Sequence, residues 1–145
     1  MALLELFYDI DRDNLGLMAD AWSMHLRGEN IKTALRQVID KMVFSTVADY
    51  VVLPRYNYHP GMVNYTAAEP ALVKAVPMGD VMIDYKQYFD TLKTLGYKGW
   101  VSYETCSPLR HGSSLENIDA YARQFIKYMK QHGYSGTTKC ERGKE

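Results

Sequence analysis

The run Gly99-Trp100-Val101-Ser102-Tyr103-Glu104 reads as a short buried strand that ends on a carboxylate. Thr105-Cys106-Ser107-Pro108-Leu109-Arg110 then leads through a polar loop toward a helix start. Open and closed α/β sheets keep their chemistry at the carboxyl ends of their strands. Glu104 is therefore read as an active-site carboxylate, a group able to take and return a proton. A second apolar run, at 15–19, ends at Asp20, and a third, at 42–47, ends near Asp49. Three strands that each aim an acid at one face of a sheet carry more weight than any one of them. The plainer roles are a salt-bridged Glu104, an Asp20 that caps a helix or turn, and an Asp49 that anchors a loop. For Asp49 the plainer role is the expectation.

Helical spacing and capping residues separate these strands. Leu3, Leu6, Phe7 and Ile10 fall on one face of a helix over 2–10, which Asp11-Arg12-Asp13-Asn14 breaks. Asn30 is placed to cap a helix with Ile31, Ala34, Leu35 and Val38 on one side. Asp84 caps another that turns Tyr85, Tyr88, Phe89, Leu92 and Leu95 inward, and Gly96 ends it. Ser113 and Glu116 have capping-box spacing ahead of a last helix burying Ile118, Tyr121, Ala122, Phe125 and Met129, which Gly133 ends. Residues 50–83 hold four of the five prolines (Pro54, Pro60, Pro70, Pro77) and read as a long irregular region, functional or facing a partner. Trp22 and Trp100 are expected in the core. Strands alternating with helices imply an α/β fold of parallel βα units with right-handed crossovers.

At 145 residues the chain has the size of one domain, read as 1–133 followed by a flexible tail at 134–145. Its 17 basic and 17 acidic residues cancel, which argues against nucleic acid as a partner. No apolar run approaches the roughly 20 residues of a membrane span, and the N-terminus lacks signal-peptide features. Cys106 and Cys140 form neither a disulfide framework nor a zinc pattern, so a cytoplasmic setting is the expectation.

Two longer stretches, Pro77-Met78-Gly79-Asp80-Val81-Met82-Ile83-Asp84-Tyr85 and Leu92-Lys93-Thr94-Leu95-Gly96-Tyr97-Lys98-Gly99 with the strand to Glu104, follow one pattern. It is a Gly-acid turn, a helix, a "G-(Y/F)-x-G" step and a strand ending in Glu. With Asn14-Leu15-Gly16-Leu17-Met18-Ala19-Asp20 and the loop Cys106-Ser107-Pro108-Leu109-Arg110-His111-Gly112, the chain resembles the C-terminal part of the sugar phosphate isomerase/epimerase family. These are xylose-isomerase-like (β/α)8 barrels, which also include the endonuclease IV type of abasic-site nuclease. The resemblance covers roughly 1–132. It implies a partial TIM barrel made of about the last three strands, since a full barrel needs about 250 residues.

The resemblance further implies a divalent metal such as Mn or Mg, with Asp20 and Glu104 as two of its ligands. Glu104 would also be the acid/base group in proton transfer next to a carbonyl. Two positions depart from the family: Ser23 and Thr46 stand where His is usual, and His25 is a possible substitute ligand. Arg110 and His111, after the last strand, are expected to bind substrate, phosphate included. Arg55, among Tyr50, Tyr56 and Tyr58, is a further substrate candidate, although packing of the long loop is the expected role of those rings. The implied ligand is a sugar or sugar phosphate. The alternative is a non-catalytic half-barrel that assembles with itself or with a complementing chain, because a three-stranded piece leaves two open edges. A nuclease would need a His-rich multi-metal site, and the chain has only His25, His59, His111 and His132.

Overall fold

The computed structural model describes residues 2–79, 81–105 and 108–134. In chain order its elements are α1 (Ala2–Ile10), β1 (Leu17–Asp20), α2 (Ala21–Leu26), α3 (Ile31–Val38), β2 (Met42–Val47), β3 (Asp49–His59), β4 (Asn64–Val76), α4 (Tyr85–Thr94), β5 (Trp100–Tyr103) and α5 (Leu115–Gln131). Strands β1, β2 and β5 form one parallel sheet in the order β1-β2-β5, and β3 and β4 form a separate antiparallel ribbon.

Local chemistry sets the helix starts. Asn30 accepts a hydrogen bond from the Thr33 N–H at 3.0 Å, and Asp84 accepts one from the Gln87 N–H at 2.8 Å. The last helix is capped by Ser114, which accepts from the Asn117 N–H at 3.3 Å, one residue beyond the expected Ser113.

Register partners across a parallel sheet project to the same side, and successive residues alternate. One face of the sheet therefore carries Ala19, Ser45, Val47, Val101 and Tyr103. It packs against Ile31, Leu35, Tyr85, Tyr88, Phe89 and Leu92 to form the core. Ser45 and Tyr88 share a hydroxyl–hydroxyl hydrogen bond of 2.7 Å across that interface. The opposite face carries Met18, Phe44 and Trp100 in one row and Asp20, Thr46 and Ser102 in the next. The two ends of the first row are open, Met18 being 50% exposed and Trp100 74%, while Phe44 between them is half-buried. The expectation of a core Trp100 fails because its strand end turns the indole to this uncovered side. Leu3, Leu6 and Ile10 on α1 are exposed as well.

The long irregular region is instead a hairpin arm. β3 and β4 pair over most of their length around a turn at 60–62, with a register shift between Leu53 and Arg55. Prolines disguise it because they sit where the ladder is interrupted. Pro54 lies in the register shift, Pro70 opposite it, and Pro60 opens the tip turn. Tyr56, Tyr58 and Tyr65 are exposed along the arm, where the Tyr58 and Tyr65 rings pack on each other across the two strands with centroids 5.0 Å apart.

A buried tyrosine fixes the corner where β2 turns into this arm. The Tyr85 hydroxyl donates to the Ala48 carbonyl at 2.5 Å and accepts from the Ala48 N–H at 3.0 Å. The buried Asp49 carboxylate accepts from the N–H groups of Tyr50, Val81 and Met82 at 2.9–3.2 Å. Asp49 is thus the loop anchor expected of it. At the other side of the arm's base, Ala75 pairs with Leu109, and the Tyr121 hydroxyl donates to the Ala75 carbonyl at 3.1 Å.

Two measurements test this packing. Tyr85→Phe leaves both Ala48 backbone groups buried and unpaired, and should cost about 1–3 kcal/mol of stability in denaturant unfolding. Burial is the main cause that raises Tyr85 and holds Tyr88 up to about 12. Above the free tyrosine value of about 10 the unfolded chain binds fewer protons than the folded one. Stability should therefore be intact below that value and fall as pH rises through the window up to about 12.

Candidate functional site

The carboxyl ends of β1, β2 and β5 lie at one edge of the sheet, and there the uncovered face changes from apolar to polar. Asp20 pairs in register with Thr46, and Thr46 with Ser102. The Glu104 N–H continues the ladder by donating to the Val47 carbonyl at 3.0 Å. Alternation then brings Glu104 to the same face as Ser102, two residues farther on. The structure thus brings Asp20 and Glu104 to one rim. Their backbones stand two strand spacings and two residues apart, about 12 Å.

The two acids are used differently. Asp20 is the N-cap of α2: one carboxylate oxygen accepts from the Trp22 N–H at 3.0 Å and the other accepts from the Ser23 hydroxyl. This is its plainer role, and it turns the group back toward its own helix. The Glu104 side chain is exposed. Thr46 is buried, and its hydroxyl has no hydrogen-bond partner.

His25 does not join this row. Its Nδ1 lies 2.7 Å from the Tyr50 hydroxyl, and the Tyr50 ring stacks on Trp22 with centroids 4.9 Å apart. Burial, and secondarily the neighbouring Asp49 charge, raise the Tyr50 hydroxyl above its ordinary value. The trio pins the start of the arm to α2.

Arg110 and His111 lie exposed in the loop after β5, on the rim side. The Arg110 N–H donates to the Ala75 carbonyl at 2.9 Å, and its own carbonyl accepts from Asn117 Nδ2 and the Tyr121 hydroxyl. The loop backbone is therefore fixed while the guanidinium side chain stays exposed. Arg55 is elsewhere: it lies six residues along β3 from Asp49, about 20 Å out on the arm, where it reaches only the Pro70 carbonyl at 3.5 Å. The structure does not bring Arg55 to Arg110. Asp80, Cys106, Ser107 and most of the expected tail, 135–145, lie outside the described residues.

Among the described residues no group of three or more His, Cys, Asp or Glu side chains converges on a point. The donors of the rim are one carboxylate occupied as a cap, two neutral hydroxyls and one exposed glutamate. That set does not fit a divalent ion held by this chain alone. Sequence reasoning passed over Ser102. Its signal was the two-residue spacing to Glu104, which places both on one face.

A family model described as xylose isomerase-like TIM barrel matches residues 2–132. Among solved structures, the chain is similar to a xylose isomerase domain protein from Planctomyces limnophilus, with a TM-score of 0.60 and 23% sequence identity. The match covers 90% of this chain and 40% of that one, so this chain spans less than half of its relative's length. At that identity the likeness is one of fold. No curated protein gives a match.

Stability separates the two acids. Asp20→Ala should lower it by about 1 kcal/mol through loss of the cap, and Asp20→Asn by much less. Glu104→Gln should leave it within about 0.5 kcal/mol, because an exposed side chain is replaced. Thermal or denaturant unfolding of the three variants checks this.

Proposed function

The chain belongs to the xylose isomerase-like TIM barrel family, and from that membership we propose that it serves as the last three βα units of a sugar or sugar phosphate isomerase or epimerase. The observation that carries this reading is the uncovered face of the sheet. A row of Met18, Phe44 and Trp100 lies beneath a row of Asp20, Thr46 and Ser102, apolar below and polar at the carboxyl rim. Barrels fill their interior with apolar layers and do their chemistry above them. Both edge strands of the sheet also lack a neighbour among the described residues. Further strands, from a second copy or a complementing chain, would satisfy the edges and cover Trp100.

In this reading Glu104 is the catalytic residue, taking a proton from the carbon next to a sugar carbonyl and returning it. Its exposure on the rim leaves it accessible to a ligand. Arg110 and His111, on the fixed loop after β5, suit a substrate phosphate or sugar hydroxyls. Arg55 would meet a ligand only if a partner brought one to the arm. Nucleic acid is left aside because the chain has no net charge. Among the described residues no helix is long and apolar enough to cross a membrane, and a cytoplasmic setting belongs to the proposal. A second reading, a non-catalytic subunit, draws support from Asp20 being engaged as a helix cap.

Sedimentation together with deuterium exchange tests the proposal. The chain should self-associate or bind a complementing barrel fragment, and Trp100→Glu should weaken that association. The assembled form should exchange the proton next to the carbonyl of a ketose or ketose phosphate with solvent. Glu104→Gln should slow that exchange by about 100-fold or more. A stable monomer, or an assembly that exchanges equally well without Glu104, would defeat the enzymatic reading.

A further inference from the structure

The distal part of the arm is a free ribbon: every residue from Pro54 to Ala67 is exposed except the half-buried His59. A two-stranded ribbon with nothing packed on it is marginally stable in water. Cross-strand pairing gives this one two faces. Tyr58 pairs with Tyr65 and Tyr56 with Ala67, and alternation puts all four on one side. Arg55, Asn57, His59, Asn64 and Thr66 fall on the other. The polar side is partly satisfied within itself, with His59 Nε2 2.7 Å from the Thr66 hydroxyl. The aromatic side is open: Tyr56 is 62% exposed, Tyr58 51% and Tyr65 63%. Met62 and Val63 extend the exposed apolar surface at the tip. Val63 holds φ 51° and ψ 41°, a left-handed conformation that glycine or asparagine adopts more readily than a β-branched residue. Packing within the chain does not offset that strain, because the Val63 side chain faces solvent.

The chemistry of the face limits what can cover it. Residues 56–68 contain no Asp, Glu, Lys or Arg, so a phosphate backbone or a charged peptide finds no counter-charge there. The Tyr58 and Tyr65 rings are inclined at 45° to each other, which is not the flat platform on which a sugar ring stacks. An identical face suits it: two uncharged surfaces meet without like-charge repulsion, and a two-fold axis closes the contact after two copies. The area is sufficient. Three tyrosines of roughly 200 Å² each, more than half exposed, together with Met62 and Val63 at roughly 100 Å² each, offer about 500 Å² per copy. Two copies would bury about 1,000 Å², the lower bound of a specific interface. We propose that the distal arm docks on the same arm of a second copy of this chain, with the two tyrosine faces packed together about a two-fold axis. Tyr58 lies nine residues along β3 from Asp49, about 30 Å from the corner. The contact is therefore separate from the sheet face that carries Trp100, and it does not rest on the barrel reading.

The test is sedimentation of the whole chain across a wide range of concentration, with one variant on each face of the arm. Tyr58→Lys, on the aromatic side, should weaken association about tenfold or more. Asn57→Lys places the same charge one residue away on the polar side and should stay within about threefold of the parent. A second measurement needs no variant. Oxidative coupling of tyrosines in a mixture of isotope-labelled and unlabelled chain should give mixed covalent dimers joined through Tyr56, Tyr58 or Tyr65 of both copies, read by mass spectrometry. A monomer at every concentration overturns the proposal. So does equal weakening by both lysine variants, or mixed dimers joined only through tyrosines outside the arm. A monomer in which maltotriose protects these tyrosines from oxidation makes the face a sugar platform and overturns it too. The two associations separate cleanly. Loss in Trp100→Glu but not in Tyr58→Lys overturns the arm contact and leaves barrel completion standing, and the converse leaves the arm contact and counts against completion by a second copy.

Discussion

The corner at Ala48 and Asp49 is the constraint on which the rest of the structure depends. There a parallel strand ends and an antiparallel arm begins, with one residue between them. Such a corner exposes peptide groups that neither sheet can pair, and it lies in the core, where water cannot reach them. Tyr85 resolves the problem by donating to and accepting from the same residue, Ala48. Asp49 resolves the remainder by gathering the N–H groups of Tyr50, Val81 and Met82. The departing strand and the segment returning before α4 are thereby tied to a single buried carboxylate. The polar rim takes its shape from that knot, since it fixes where β2 stops.

The sheet has two faces of opposite fate. On one side Ala19, Ser45 and Val47 are buried against the helices, with Val101 and Tyr103 half-buried beside them. On the other side an indole and a methionine are left to solvent. A soluble domain rarely leaves such a face uncovered without a partner for it. The same argument applies to the apolar residues of α1.

The rim combines a familiar position with altered chemistry. Two acids stand at strand ends, as the family resemblance implies, but one is spent on a helix cap and the centre of the row is a threonine. Two neutral hydroxyls, Thr46 and Ser102, stand between the two carboxylates of that row. The exposed Arg110, on a backbone fixed by Asn117 and Tyr121, supplies positive charge from outside the row.

Much of this was legible in the residues themselves. The parallel strands, the caps at Asn30 and Asp84, the inward tyrosines of α4 and the strand-end acids follow from periodicity and capping chemistry, which act over a few residues and are written locally. The arm was not legible, because Pro54, Pro60 and Pro70 mark it as irregular, and only cross-strand pairing reveals that they fall at breaks in a ladder. Nor was the fate of Trp100 legible, because burial depends on which elements cover a face, and a sequence does not say that none does. Asp20 and Glu104 could be assigned to one edge from the chain order alone. Whether their carboxylates point at each other or at a helix was decided by tertiary structure, since a side chain goes to whichever donors the fold places nearest.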